Sequence, residues 1–168
     1  IERGIDVALR FGRVEEADLV ARPLFEVHYL MCGRPEIVQA LPEHPSELEP
    51  HLCIGVMPEE SQAPFAWHLE RGQEKVVIHP KGRLNFNSSE MSMAAAQTGI
   101  GLAFVLDIFA KPYLDSGALV QAYPQWLMPA RTFYVVTTKD RATSAKVRAF
   151  TDFLFEELDP DRQRGRHL

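Results

Sequence analysis

The chain has 168 residues, enough for one domain with a sizeable core or for two small lobes sharing one. Its 46% hydrophobic and 24% charged content is ordinary for a globular protein, and its formal net charge is −5. Residues 1–50 hold five basic and ten acidic side chains and residues 128–168 hold eight and six, so no basic stripe exists for nucleic acid, and no run approaches the ~20 apolar residues of a membrane span.

The chain opens at Ile1, without methionine, in what reads as the end of a helix closing at Gly4, and a longer natural protein is expected upstream. Ile5 to Gly12 then predicts a strand, with Ile5, Val7, Leu9 and Phe11 alternating on one face. Arg13 to Asp18 is a polar connection, and Leu19 to Cys32 a long extended stretch broken at Pro23. Pro35 opens a short helix to Ala40. Residues 41–50 carry three prolines and are read as connection, with a helical turn at Ser46 to Leu48, and His51 to Val56 as a strand. Ala66 to Arg71 and Glu74 to His79 form two strands about Gly72.

Leu84 to Phe86 feeds a helix that Asn87 is placed to cap, with Glu90 reaching back in the manner of a capping box and Gly99 as the stop. Gly101 to Val105 is a buried strand, Asp107 caps a helix to about Asp115, and Leu119 to Tyr123 and Phe133 to Thr137 are strands. Thr143 or Ser144 caps a last helix whose Val147, Phe150, Leu154 and Leu158 make an apolar stripe for a sheet. Strands alternating with helices predict βαβ units and a largely parallel sheet. The tail, with Arg162, Arg164, Arg166 and His167, reads as a solvated, frayed end.

The strand that delivers Asn87, Ser88 and Ser89 to a helix start makes a small corner of hydroxyls, free amides and positive dipole, suited to a carboxylate or carbonyl. Plain helix capping explains the same residues, and the two roles are compatible. Arg10, Phe11 and Gly12 finish the first strand at its carboxyl end, where a basic group can meet an anion; a surface arginine is the plainer account. Phe104 and Val105 end the buried strand, as cleft lining or as core packing.

Gly99-Ile100-Gly101 lacks the third glycine of a dinucleotide loop and follows a helix instead of opening one. His28 and Cys32 share a strand face without a third ligand, so no metal is expected. Cys32 and Cys53 sit in apolar runs as small hydrophobes, and Trp67 and Trp126 read as packing residues. Ser88 and Ser89 lack the G-x-S-x-G setting and a spaced histidine, so no catalysis and no cofactor is expected.

Five pieces in order resemble the effector-binding domain of LysR-type transcriptional regulators: Gly4 to Gly12, Leu19 to Leu24, Asn87 to Gly101, Gly117 to Val120, and Ser144 to Phe150. The resemblance implies a two-lobed, periplasmic-binding-protein-like α/β fold with Rossmann-like lobes and a small-molecule effector in the cleft, polar or anionic. It places the Asn87 corner in that cleft. The implied division is residues 1–33 with 130–158 as lobe one, 34–129 as lobe two and 159–168 as a tail. Compared with the family, lobe one lacks its first strand-helix-strand, and DNA would be reached only through an N-terminal winged helix-turn-helix outside this chain. The full-length regulator would be a cytoplasmic homodimer or homotetramer, with no membrane partner. A stand-alone periplasmic solute-binding protein is the alternative.

Overall fold

Apolar alternation does produce the first strand, β1 (Ala8–Phe11), in the computed structural model, which describes residues 4–12, 14, 16–58 and 61–158. The expectations for Ile1 to Arg3, for Arg13 and Glu15, and for the tail from residue 159 lie outside the described residues. Strands β2 (Leu19–Val27) and β3 (Tyr29–Gly33) follow, then the short helix α1 (Pro35–Gln39). Two single 3₁₀ turns, Pro45–Glu47 and Pro50–Leu52, precede strand β4 (Gly55–Val56), which is shorter than the six residues expected there. A hairpin of β5 (Trp67–Arg71) and β6 (Glu74–Ile78) turns at Gly72, whose φ is +61°. Next come β7 (Asn85–Phe86), α2 (Ser89–Gln97), β8 (Ala103–Leu106), α3 (Asp107–Asp115) and β9 (Val120–Ala122). Strand β10 (Arg131–Thr138), α4 (Lys139–Ala142) and α5 (Ala145–Glu157) finish the described chain.

The chain divides into two compact units, one of Ile1–Val27 with Ala130–Leu168 and one of His28–Pro129. The first changeover therefore comes at His28 and not after residue 33. Its reason is hydrogen bonding: β3 pairs with β8 and β9 and is the centre strand of the second unit's sheet. The extended run also breaks at His28 and not at Pro23. Proline lacks an N–H, yet β2 is an edge strand, and the register skips Leu24 where Pro23 lies opposite Tyr134.

In the first unit the sheet order is β1-β10-β2, antiparallel throughout, with Val135 and Val136 of β10 buried. Helix α5 turns Val147 and Thr151 inward, but Phe150 is exposed, so the expected apolar stripe is only partly covered. In the second unit β4 and β7 pair in parallel, and a single parallel bridge between Cys53 and Leu102 joins them to β8. Four strands thus point one way and β3 alone points the other. The expectation of a largely parallel sheet is corrected in the first unit, where every pairing is antiparallel, and in the second only at β3, the reversed strand among the five so joined. A parallel neighbour needs a returning helix, whereas β3 and β10 each enter their sheet directly from the other unit's last strand, with no helix between.

Both faces of the β3–β8 ladder are buried. On one face Met31 and Phe104 meet Trp67, Leu69 and Ile78 of the hairpin, with Phe104 stacked 5.0 Å from Trp67 and 5.2 Å from Tyr29. On the other, Leu30, Cys32, Ala103 and Val105 meet Met93, Ala95 and Ala96 of α2. Burial on both sides explains why the strand reads as a continuous apolar run without alternation.

The start of the first unit is held by charge. The Asp6 carboxylate pairs with Arg141 and, at 2.5 Å, with Lys146, while the Thr137 hydroxyl donates to the Asp6 carbonyl at 2.9 Å. The Lys146 hydrogen bond, opposed by some burial and helped by Arg141, holds the Asp6 carboxyl below its usual 3.8. A lowered carboxyl pKa stabilises the fold at any pH above the unfolded value and is lost as pH falls through the folded one. Asp6→Asn is therefore expected to lower the melting temperature by a few degrees at neutral pH. The gap should close in melts run well below pH 3.8; a gap that stays constant with pH would refute the charge-based anchor.

Candidate functional site

The corner expected at Asn87 to Ser89 forms, displaced by one residue. Ser88, not Asn87, is the N-cap of α2: its φ and ψ are −134° and 131°, and its hydroxyl accepts from the Met91 amide at 3.4 Å. The same hydroxyl donates to a Glu90 carboxylate oxygen at 2.9 Å, so Glu90 grips the cap side chain and not the cap amide. The Ser88 carbonyl accepts from the Ser92 amide at 3.2 Å and from the Ser92 hydroxyl at 3.3 Å. At the other end Gly99 stops the helix with φ +81°, as expected. Ser89 begins the helix, and Asn87 stays exposed just before it.

Beside this turn lies a hollow of about 460 Å³ lined by Met57, Pro58, Ser61 and Asn87, within the range of small-molecule sites. The parallel β4–β7 pairing creates it: the Met57 amide donates to the Phe86 carbonyl at 2.7 Å, bringing the segment after β4 alongside the start of α2. Ser61 closes a tight turn of its own, bonding the Ala63 carbonyl at 2.8 Å and the Ala63 amide at 3.2 Å. Met57, Pro58 and Ser61 escaped the sequence reading because two-residue strands carry no periodicity to place them. The one available signal is the turn composition of Ser61-Gln62-Ala63-Pro64.

The remaining candidates lie on other elements. Phe104 and Val105 are fully buried on the two opposite faces of β8, each in a core cluster, so packing is the role this structure gives them. Arg10, Phe11 and Gly12 belong to the first unit; Arg10 lies 2.6 Å from the Glu16 carboxylate, the Phe11 ring lies 5.1 Å from Phe133, and Gly12 has φ +82°. Asp107 is the first residue of α3 and not its cap, with its carboxylate accepting from the Ile108 amide at 2.8 Å.

His28 lies 3.5 Å from the Asp107 carboxylate, and burial pushes the Cys32 and Cys53 thiols up to about 12. Among the described residues no three His, Cys, Asp or Glu side chains gather as metal ligands. No helix there is long and apolar enough to cross a membrane.

Residues 1–159 match the family profile described as the LysR substrate binding domain. The chain belongs to that family. Curated relatives of this LysR domain include the HTH-type transcriptional activator TtdR of Escherichia coli K12, 30% identical over 156 residues, which cover 92% of this chain and 50% of TtdR. The chain thus spans about half the length of the curated relatives it matches. Among solved structures, the regulatory domain of a variant AphB from Vibrio vulnificus superposes with a TM-score of 0.79 at 27% identity, covering 92% of this chain and 76% of that one. The CrgA regulatory domain of Neisseria meningitidis gives 0.79 at 25%, covering 93% and 76%. The two-lobed, periplasmic-binding-protein-like α/β class expected from sequence is the fold of this LysR domain.

Phe104→Ala tests the packing role. It is expected to cost about 3–5 kcal/mol in urea unfolding, whereas a residue that only lines a ligand hollow would change stability by less than about 0.5 kcal/mol.

Proposed function

We propose that this chain is the effector-sensing part of a LysR-type DNA-binding transcriptional regulator. A small polar or anionic molecule is taken up at the start of α2, in the hollow beside Asn87, Ser88 and Ser61. DNA is contacted only through a helix-turn-helix domain of the longer protein, which acts in the cytoplasm as a dimer or tetramer and carries out no catalysis. The two units serve as the two lobes, with lobe one completed by residues of that longer protein. Membership of the LysR family supports this reading over a stand-alone solute-binding protein, because the matched relatives are described as transcriptional regulators.

The observation that carries the assignment is the cap itself. Helix α2 is nine residues long, so its first amides and its dipole offer a real anion-attracting end, and a hollow of ligand size opens next to it. Glu90 already places a carboxylate oxygen 2.9 Å from the Ser88 hydroxyl. A bound carboxylate would take that donor in its stead. Arg10, in the first unit, stays a candidate for an anionic group, its guanidinium paired in this structure with the exposed Glu16 carboxylate.

Regulation requires the ligand to bind two arrangements of the protein unequally. A tenfold change in DNA occupancy needs only about 1.4 kcal/mol of such coupling, the scale of one charge-assisted hydrogen bond. Ser88→Ala is therefore expected to weaken effector affinity about tenfold while basal DNA binding of the complete regulator stays intact. Calorimetry against organic, amino and aromatic acids identifies the ligand and reads the change; unaltered affinity in that variant would overturn the site.

A further inference from the structure

We propose that the Met57 thioether is an oxidant-responsive modification site: hydrogen peroxide converts it to the sulfoxide, and the new oxygen keeps anions out of the hollow beside Asn87. The inference rests on the effector reading of that hollow and adds oxidant control to it.

The chain has five methionines, and the fold sorts them by access. Met31, Met93 and Met128 are core residues, none more than 8% exposed. The other two flank one spot. Met57, half-buried, lines the hollow with Pro58, Ser61 and Asn87. Met91 is 53% exposed on the first turn of α2, where its amide donates to the Ser88 hydroxyl. The cysteines are no rival target. Cys32 and Cys53 are fully buried, and with their thiols pushed up to about 12 hardly any thiolate exists at neutral pH. A thioether reacts without ionising, so access alone directs the oxidant to Met57 and Met91.

The step is a two-electron oxygen transfer. A sulfur lone pair attacks one peroxide oxygen and the O–O bond breaks. The departing hydroxide then takes the proton left on the transferred oxygen, which yields sulfoxide and water. A dithiol reductase reverses the change, its thiols becoming a disulfide as the oxygen leaves in water.

Position decides the effect. The Met57 amide donates to the Phe86 carbonyl at 2.7 Å, which fixes Met57 one row beyond the β4–β7 pairing and level with Asn87. A thioether sulfur is a weak acceptor and leaves the donors of the hollow to a ligand. A sulfoxide oxygen carries partial negative charge and accepts strongly. Inside the hollow it competes with a carboxylate for the Asn87 side-chain amide and repels that carboxylate. At Met91, exposed on the helix surface, the same oxygen is met by water.

The test treats the 168-residue chain with a small excess of hydrogen peroxide and locates sulfoxides by peptide mass spectrometry. Met57 and Met91 should oxidise at least about tenfold faster than Met31, Met93 and Met128. Calorimetry with acetate, succinate and benzoate then compares treated with untreated chain. An acid that binds the untreated chain should bind the treated one about tenfold more weakly, and a methionine sulfoxide reductase should restore it. Met91→Leu should show the same loss; Met57→Leu, set against its own untreated sample, should show none. If Met57→Leu does not fold, Met57→Gln decides: its carbonyl oxygen should weaken binding about tenfold without peroxide. Met57 oxidising no faster than the buried methionines, a loss that persists in Met57→Leu, or full affinity in Met57→Gln would overturn this inference and leave the effector reading standing. No binding of any of the three acids to the untreated chain would overturn the anion reading of the hollow and its oxidant control together.

Discussion

Two hydrogen bonds determine where the candidate site can be. The Ile54 amide donates to the Leu102 carbonyl at 2.9 Å, and the Leu102 amide donates to the Leu52 carbonyl at 2.8 Å. Together they join the small β4–β7 pair, which carries Met57 and Asn87, to the buried β8. The join allows no side chain at Gly101, where a Cβ would stand 2.2 Å from the Leu52 carbonyl oxygen. Without this close approach β4 and β7 would be two residues each, too short to hold a position by themselves. The helix start and the hollow beside it therefore inherit their precision from a ladder that is buried on both faces.

That dependence separates what was legible in the sequence from what was not. Helix α2 was legible because caps and stops are local: Ser88 to Glu90 and Gly99 lie within a dozen residues of one another. The shift of the cap from Asn87 to Ser88 shows the limit of local reading, since both residues cap well and only the extended φ and ψ of Ser88 decides. Phe104 and Val105 were correctly read as strand, yet no pattern within five apolar residues could say whether a face meets ligand or core. The hairpin face of Trp67 and Leu69, more than thirty residues earlier, closes one side, and α2 closes the other. The directions of β3 and β10 were misread for the same reason. Local alternation of strand and helix argues for parallel neighbours, but β3 and β10 arrive by long-range crossings that leave no trace in composition.

Among the described residues the β2 edge of the first sheet makes a parallel case. Pro23 was read as an interruption because proline costs a central strand a hydrogen bond. At an edge it costs nothing and blocks unwanted pairing.

A hydroxyl has one proton to donate, and at Ser88 it is directed to Glu90. Any acceptor atom of a ligand must compete with that internal carboxylate, so the net gain on binding is the difference between two charge-assisted bonds and not the whole of one. The same exchange has a structural consequence. Releasing Glu90 frees a charged side chain on the exposed first turn of α2, next to the segment that leads back through β7 and β4 to the Leu102 join. A ligand at this corner would thus change which carboxylate the helix dipole stabilises. Under the proposed reading, differential binding would therefore have to come from what the ligand gains at the Ser88 hydroxyl beyond what Glu90 already supplies.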